Sequence, residues 1–315
     1  MRTKRAVVAI GGNSLIKDKQ HQTVPDQYQA MKETTASIAD MVQAGWEVAI
    51  SHGNGPQVGF ILRRSELSRH ELHEVPLDVC GADSQGAIGY ALQQNLRNHL
   101  AARGVERPVV TVVTEVEVSP DDPAWRHPSK PIGSFMTQEV ASARKSAEGW
   151  TVVEDAGRGW RRVVPSPEPL RIVEADVVRL LLDSGVIVIT VGGGGIPVVR
   201  RADGSLKGVD AVIDKDLASA MLATVIEAGL LVITTAVEKV ALGWGTPQQR
   251  WVDRLTLAEA KAYLAEGTHF APGSMAPKIQ ACVQYLEAGG GEVLITDPDH
   301  LPAAIRGETG TRIVP

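Results

Sequence analysis

The chain has 315 residues, with 32 Lys and Arg against 37 Asp and Glu, a formal net charge of -5. That length supports a substantial core in one large domain or two lobes, and the acidic balance argues against a nucleic-acid polyanion as partner. Hydrophobic residues make up 43% and aromatics only 4%, so the core is expected to be aliphatic, as in a buried parallel sheet. Two cysteines, Cys80 and Cys282, offer no disulfide framework and no CxxC site. The apolar run after the basic N-terminus meets Gly11 and Gly12 too soon for a signal sequence, and no run of eighteen apolar residues follows. A soluble cytoplasmic protein is the expected class.

Residues 6–10, AVVAI, read as a buried strand leading into GGNSL. Helical spacing at Met31, Ile38, Met41 and Val42 predicts a helix over 27–44, with Gly45 as its C-cap. A second strand, 46–50, runs into SHGNGPQVG. Helices are predicted over 58–69 and 82–103, then a strand over 109–113. The stretch 115–169 is rich in Pro, Gly, Trp and charge and reads as an excursion from the main sheet, with one short helix over 138–148. Its Trp125, Trp150 and Trp160 call for packing partners, so it reads as a small subdomain. Regularity returns with a helix over 175–183, a strand over 186–191, GGGGIP, a helix over 215–228 and a strand over 230–234. Helices over 257–266 and 276–288 follow, and 292–296 reads as the last core strand. Alternating short aliphatic strands and longer helices predict an α/β fold with a mainly parallel sheet.

The informative pattern is glycine at strand ends. AVVAI ends in Gly11-Gly12-Asn13-Ser14, WEVAI in His52-Gly53-Asn54-Gly55, and VIVITV in Gly192 to Gly195. Glycine lets backbone N–H groups approach a ligand, and strand ends and helix starts suit phosphate or carboxylate oxygens. Any one loop is equally well explained as a tight βα turn; several together favour the ligand reading. No GxxxxGK[ST] and no GxGxxG with an acidic ribose partner is present. That argues against a P-loop enzyme and a dinucleotide oxidoreductase, and not against ATP.

GVDAVIDKDLA carries Asp210, Asp214, Lys215 and Asp216 at a predicted helix start. There a lysine suits phosphate, and an aspartate suits Mg²⁺, a lysine, or simply the helix cap. Lys130 is pinned between prolines in PSKPIG, and Lys278 follows Gly273, Ser274 and Pro277. HELHE lacks HExxH spacing and reads as a solvated segment, TDPDH as a turn, and RGWRR as one short patch. No residues are assigned as metal ligands.

Together VVAIGGNSL, SHGNGPQVG, CGADSQGAIGY, PSKPIG, EDAGRGWRRVVPSP, GGGGIPVV, KGVDAVIDKDLAS and HFAPGSMAPKI closely resemble the carbamate kinase family of the amino acid kinase superfamily. These motifs run from the first strand to Lys278. The resemblance implies a three-layer α/β/α sandwich with a mainly parallel central sheet and a small protruding subdomain. Residues 1–114 would be mainly the phosphate-acceptor side, 115–169 the protruding subdomain and 170–315 mainly the nucleotide side of one domain. It implies ATP or ADP with Mg²⁺, carbamate and carbamoyl phosphate as substrates, and a homodimer with neither nucleic acid nor membrane as partner. Gly11, Gly12 and Asn13, with Gly53, Asn54 and Gly55, would surround the transferred phosphate. Lys130 and Lys215 would be catalytic, with Asp214 organising Lys215, and Ser14 and Asn54 would orient the acceptor. Nucleotide contacts are expected from Gly193, Gly194, Glu238, Gly273, Met275 and Lys278. The adenine-side strand departs from the family, which usually has an aspartate near Glu238 and an aromatic near Lys239.

Carbamate already carries an anionic oxygen, so the implied in-line transfer needs no histidine base. Its obstacle is repulsion between anions, which lysines, Mg²⁺ and backbone N–H groups counter. His52 is therefore expected to be a local hydrogen-bonding residue. Two rival readings are a kinase of another small carboxylate and a non-catalytic nucleotide or acyl-phosphate sensor. The sensor reading expects a lost lysine, and none of the three is missing.

Overall fold

The computed structural model describes residues 4–16, 18, 20–154, 159–271 and 273–315, with Asn13 described by its backbone alone. Residues 155–158 of EDAGRGWRRVVPSP, Pro272 of HFAPGSMAPKI and the side chain of Asn13 lie outside the described residues.

The chain opens with β1 (Arg5–Ile10), α1 (Val24–Gln43), β2 (Glu47–His52), α2 (Gly55–Ser68), α3 (Leu77–Ala102) and β3 (Val109–Thr111). Next come β4 (Glu115–Val118), β5 (Lys130–Met136), α4 (Gln138–Glu148), β6 (Thr151–Glu154), β7 (Trp160–Val164) and β8 (Pro169–Ile172). Then α5 (Ala175–Asp183), β9 (Ile187–Ile189), β10 (Ile196–Arg200), β11 (Leu206–Gly208), α6 (Lys215–Val225) and β12 (Leu230–Thr234). The chain closes with β13 (Val240–Leu242), β14 (Arg250–Val252), β15 (Arg254–Thr256), α7 (Leu257–Glu266), α8 (Met275–Glu287), β16 (Glu292–Thr296), α9 (Leu301–Ile305) and β17 (Thr311–Val314).

Eight strands form the central sheet in the order β15-β17-β16-β12-β1-β2-β9-β3. Neighbours are parallel except β16 with β17. β1 explains the layering. Side chains alternate along a strand, so Ala6, Val8 and Ile10 enter a core with α1 and α3, while Val7 and Ala9 enter one with α6 and α8. A strand buried on both faces must be apolar throughout, as AVVAI is. Each fully buried Val or Ile there contributes about 1.5–3 kcal/mol. Helices on both faces complete an α/β/α sandwich.

Several boundaries differ from the sequence expectation for local reasons. α1 starts earlier than 27 because Thr23 and Asp26 form a capping box and Pro25 suits the first turn. α3 begins at Leu77, directly after Pro76, and its extra turn buries Leu77 and Cys80. β16 is not the last core strand: β17 returns antiparallel beside it and β15 adds a further edge. Cys80 and Cys282 are free thiols, both buried.

The two ends of the 115–169 stretch, β4 and β8, pair with each other and belong to a second sheet of order β11-β10-β4-β8. Between them β5-β7-β6, an antiparallel sheet carrying α4, forms a separate small lobe. Trp125 packs against the main core. Trp150 is stacked by Arg144 at 4.9 Å and Arg162 at 4.8 Å. Among the described residues no helix is long and apolar enough to cross a membrane.

Candidate active site

β2 lies on one side of β1 and β12 on the other, so a crevice opens at their carboxyl ends. The backbones meet closely there. A Cβ on Gly11 would stand 2.4 Å from the Thr234 carbonyl oxygen. The Gly11 N–H donates to Thr234 Oγ1 at 2.9 Å, and the Gly53 N–H donates to Ile10 O at 2.9 Å. These two N–H groups are committed inside the protein, so Gly11 and Gly53 shape the crevice rather than offer donors to it. α2 begins at Gly55, with Asn54 at the N-cap making no side-chain cap bond. Its first-turn N–H groups have no intrahelical acceptor.

Gly193 has φ +68, and a Cβ on it would lie 2.0 Å from Asn54 Nδ2. Only glycine lets this loop close over Asn54. Asn54 Nδ2 donates to Ser84 Oγ at 2.8 Å. Gln85 pins the glycine run from below: its Nε2 donates to Gly192 O at 3.0 Å, and its Oε1 accepts from the Thr114 N–H at 2.8 Å. Gln85 escaped sequence reading because a glutamine inside a helix carries no local sign of a long-range contact.

Three lysines converge on two aspartates at the start of α6. Lys130 Nζ, from β5, donates to Asp214 Oδ2 at 2.8 Å. Asp214 Oδ1 accepts from the N–H groups of Asp216 at 2.8 Å and Leu217 at 3.4 Å, so it also caps the helix. Lys278 Nζ, from α8, donates to Asp216 Oδ2 at 2.8 Å. Lys215 Nζ lies 2.7 Å from Asp216 Oδ1 in an ion pair. Beyond that ion pair no further acceptor for the buried ammonium is found among the described residues, so of its three N–H bonds it retains donors for a ligand. Asp214 is the expected organiser of Lys215; the structure instead pairs Lys215 with Asp216, and Asp214 with Lys130. The cause is helix geometry. The N-cap side chain folds back on the first turn, whereas the residue two places later projects inward.

Burial pushes the Lys215 pKa down, and Lys278 adds to this; Asp216 opposes both but does not cancel them. Burial alone would raise the Asp216 carboxyl, yet Lys215 and Lys278 outweigh it and hold it ionised. For Lys278 the pull of Asp216 exceeds the cost of burial and raises its pKa.

His52 is buried at the end of β2, with Nδ1 2.9 Å from Gly53 O. A neutral ring protonated on Nδ1 donates there. Burial, followed by repulsion from Lys215, lowers its pKa to about 4. The unfolded chain binds this proton near the ordinary histidine value of roughly 6.5. Below that pH the unfolded state takes up more protons, so stability falls as pH drops towards 4. The loss reaches about 3 kcal/mol from this group. Urea melts at pH 7 and pH 4.5 are expected to show a shallower decline for His52→Gln than for the parent. Equal declines would mean the ring is not held neutral.

A cavity of about 170 Å³ collects Gly53, Asn54, Gly55, Lys130, Gly193 and Lys215. A Cβ on Gly12 would meet nothing within 4 Å. Ser14 is 2% exposed and its hydroxyl lies 3.2 Å from Thr234 Oγ1, leaving it embedded in the crevice wall. Gly194 is tied down by its N–H bond to Val191 O at 3.1 Å. A second, apolar cavity of about 220 Å³ lies where β12 ends and α8 begins, with Val237, Phe270 and Met275 in its walls. Trp244 and Trp251 stand edge to face at 6.0 Å and are half exposed. Gly273 faces open space. Glu238 is not brought to this cavity: it accepts from Thr309 Oγ1 and lies 3.9 Å from His300. Lys239 pairs with Asp253 at 2.6 Å. The aromatic groups come from the β13–β14 hairpin instead. Two isolated tryptophans gave no periodic signal for this in the sequence.

A mainly parallel sandwich with a lysine-lined crevice at the carboxyl ends of its strands defines the class: the chain belongs to the amino acid kinase family, whose model matches residues 4–297. Within that family it falls among the carbamate kinases. It is 53% identical over 311 residues to the carbamate kinase-like protein YahI of Escherichia coli K12, covering 98% of each chain. With the carbamate kinase of Thermococcus kodakarensis it shares 46% identity over 314 residues, 99% of each chain. The carbamate kinase of Giardia lamblia bound to AMP-PNP superposes with a TM-score of 0.92 at 40% identity, covering 99% of this chain and 98% of that one.

Proposed function

We propose that this chain transfers phosphate reversibly between ATP and carbamate, giving ADP and carbamoyl phosphate. The observation that carries this is the cluster of Lys130, Lys215 and Lys278 on Asp214 and Asp216, beside the uncapped N-terminus of α2. A carbamate oxygen attacks the γ-phosphorus, a P–O bond forms, and the bond to the β–γ bridging oxygen breaks. No proton need move, because the attacking oxygen is already anionic. Lys215 faces the transferred group with unspent N–H bonds, Lys130 reaches it from the lobe, and Lys278 stands towards the nucleotide phosphates. Each lysine exchanges an aspartate for a phosphate oxygen as the substrates arrive. Preorganised donors in a water-poor cavity are worth far more than the same groups in water.

The purine base is placed in the apolar cavity beside Met275, against Trp244 and Trp251, with Gly193 and Gly194 towards the phosphates. Mg²⁺ supplies further charge neutralisation on the polyphosphate when bound. Among the described residues no group of three or more His, Cys, Asp or Glu could hold a metal. Asp214 and Asp216 are engaged by lysines. That donor set suits a Mg²⁺ carried in on phosphate oxygens with its waters. The same reading takes 115–169 as the part that covers the site, 1–114 as the acceptor side and 170–315 as the nucleotide side. It also takes the active unit as a homodimer working in the cytoplasm, making ATP from carbamoyl phosphate in nitrogen catabolism.

The test is ATP formation from ADP, Mg²⁺ and carbamoyl phosphate, with ADP binding followed by indole emission. Rapid ATP formation is expected, and emission quenching that is lost on Trp251→Leu. ADP binding without ATP would turn the assay to other carboxylate acceptors. Quenching unchanged in that variant would move the base elsewhere.

A further inference from the structure

The lobe carrying Lys130 is seated on α2 rather than on the central sheet. Its inner support is small. Ile132, two residues beyond Lys130 on the same face of β5, is buried with Val58, Leu77, Cys80 and Val164. Next to it Gly133 meets Gly59 of α2: a Cβ on Gly59 would lie 3.5 Å from Gly133 Cα and 3.7 Å from its N. Just beyond this contact the two bodies part around a cavity of about 330 Å³. The outer supports are two ion pairs, Arg69 with Glu148 at 3.0 Å, its arginine exposed, and Arg144 with Glu66 at 3.5 Å, both partners half-buried. A solvent-screened pair such as the first defines position weakly.

Gly55 and Gly59 are one helical turn apart and share a face of α2. Gly55 lines the cavity that holds Lys130 and Lys215, and Gly59 touches the lobe. One rigid turn thus joins the phosphate end of the helix to the seat of the lysine. We propose that the Gly59–Gly133 contact sets where Lys130 stands, which makes Gly59 a positioning residue for transfer; this rests on the role given to Lys130 above. A branched side chain at position 59 crowds Gly133 and is expected to push β5 outwards. Lys130, three residues before Gly133, then leaves its place beside Asp214.

A methyl group fits at 3.5 Å, so Gly59→Ala is expected to keep the parent kcat. Gly59→Val is expected to lower kcat at least tenfold, with KM for ADP and Tm near the parent values. The helix itself tolerates valine at least as well as glycine. In a Lys130→Ala background, assayed at high enzyme concentration, adding Gly59→Val should change the residual rate less than twofold. A parent-like kcat for Gly59→Val would overturn the proposal. So would an equal fractional loss in the Lys130→Ala background, or a matching loss of ADP affinity and Tm, since each would mark Gly59 as merely structural. If the parent protein forms no ATP at all, the functional reading fails and takes this assignment with it. If the parent is active and only the valine variant behaves otherwise, the assignment alone falls.

Discussion

Lys215→Ala is expected to slow ATP formation about a thousandfold while leaving the protein folded and ADP bound. Loss of one preorganised donor to developing charge costs on the order of 10²–10³ in kcat, and here a full positive charge is lost as well. The fold should survive because Asp216 keeps its 2.8 Å partner Lys278, and alanine is well suited to the first position of α6. Lys215 is also a buried lysine that retains N–H donors beyond its ion pair with Asp216. Steady-state rates with circular dichroism and ADP titration check the expectation. A rate within tenfold of the parent, about 1.4 kcal/mol in barrier, would remove Lys215 from the transfer step.

Asp216→Asn should cost stability as well as rate. Asp216 is 3% exposed and serves two ammonium groups. Removing it leaves two buried cations facing each other, a situation that destabilises by about 3–5 kcal/mol. The Lys215 pKa, already lowered by burial, should fall further because its main opposing influence is gone. On the alkaline side the variant's rate should therefore fall off at lower pH than the parent's, because Lys215 gives up its proton sooner. ADP should restore part of the lost Tm, since its phosphates replace the missing carboxylate and bind the folded state. Melting curves with and without ADP test this. An unchanged Tm and kcat would show that the two lysines do not depend on Asp216.

Much of this is legible in the amino-acid sequence. The βα rhythm and the doubly apolar AVVAI strand call for a buried parallel sheet, because only helices on both faces spare such a strand from water. Glycines at three strand ends marked the crevice. Other features were hidden for physical reasons. Asp214 and Asp216 flank Lys215 with identical chemistry, and only the helix start decides which caps and which points inward. Gly11 and Gly53 look like donors, yet their N–H groups are consumed by Thr234 and Ile10. Glu238 directly follows Val237 of the apolar cavity in sequence, but the β13–β14 hairpin brings Trp244 and Trp251 there in its place.

Local order of residues was enough to specify the class of fold, the family, and the three lysines, since apolar alternation and glycine placement act over a few residues. The partners of those lysines, the hold of Gln85 on the glycine loop and the seat of the lobe on α2 are contacts between segments distant along the chain. They exist because burial drives those segments together, and buried charges must then find counter-charges among whatever groups the packing brings within reach.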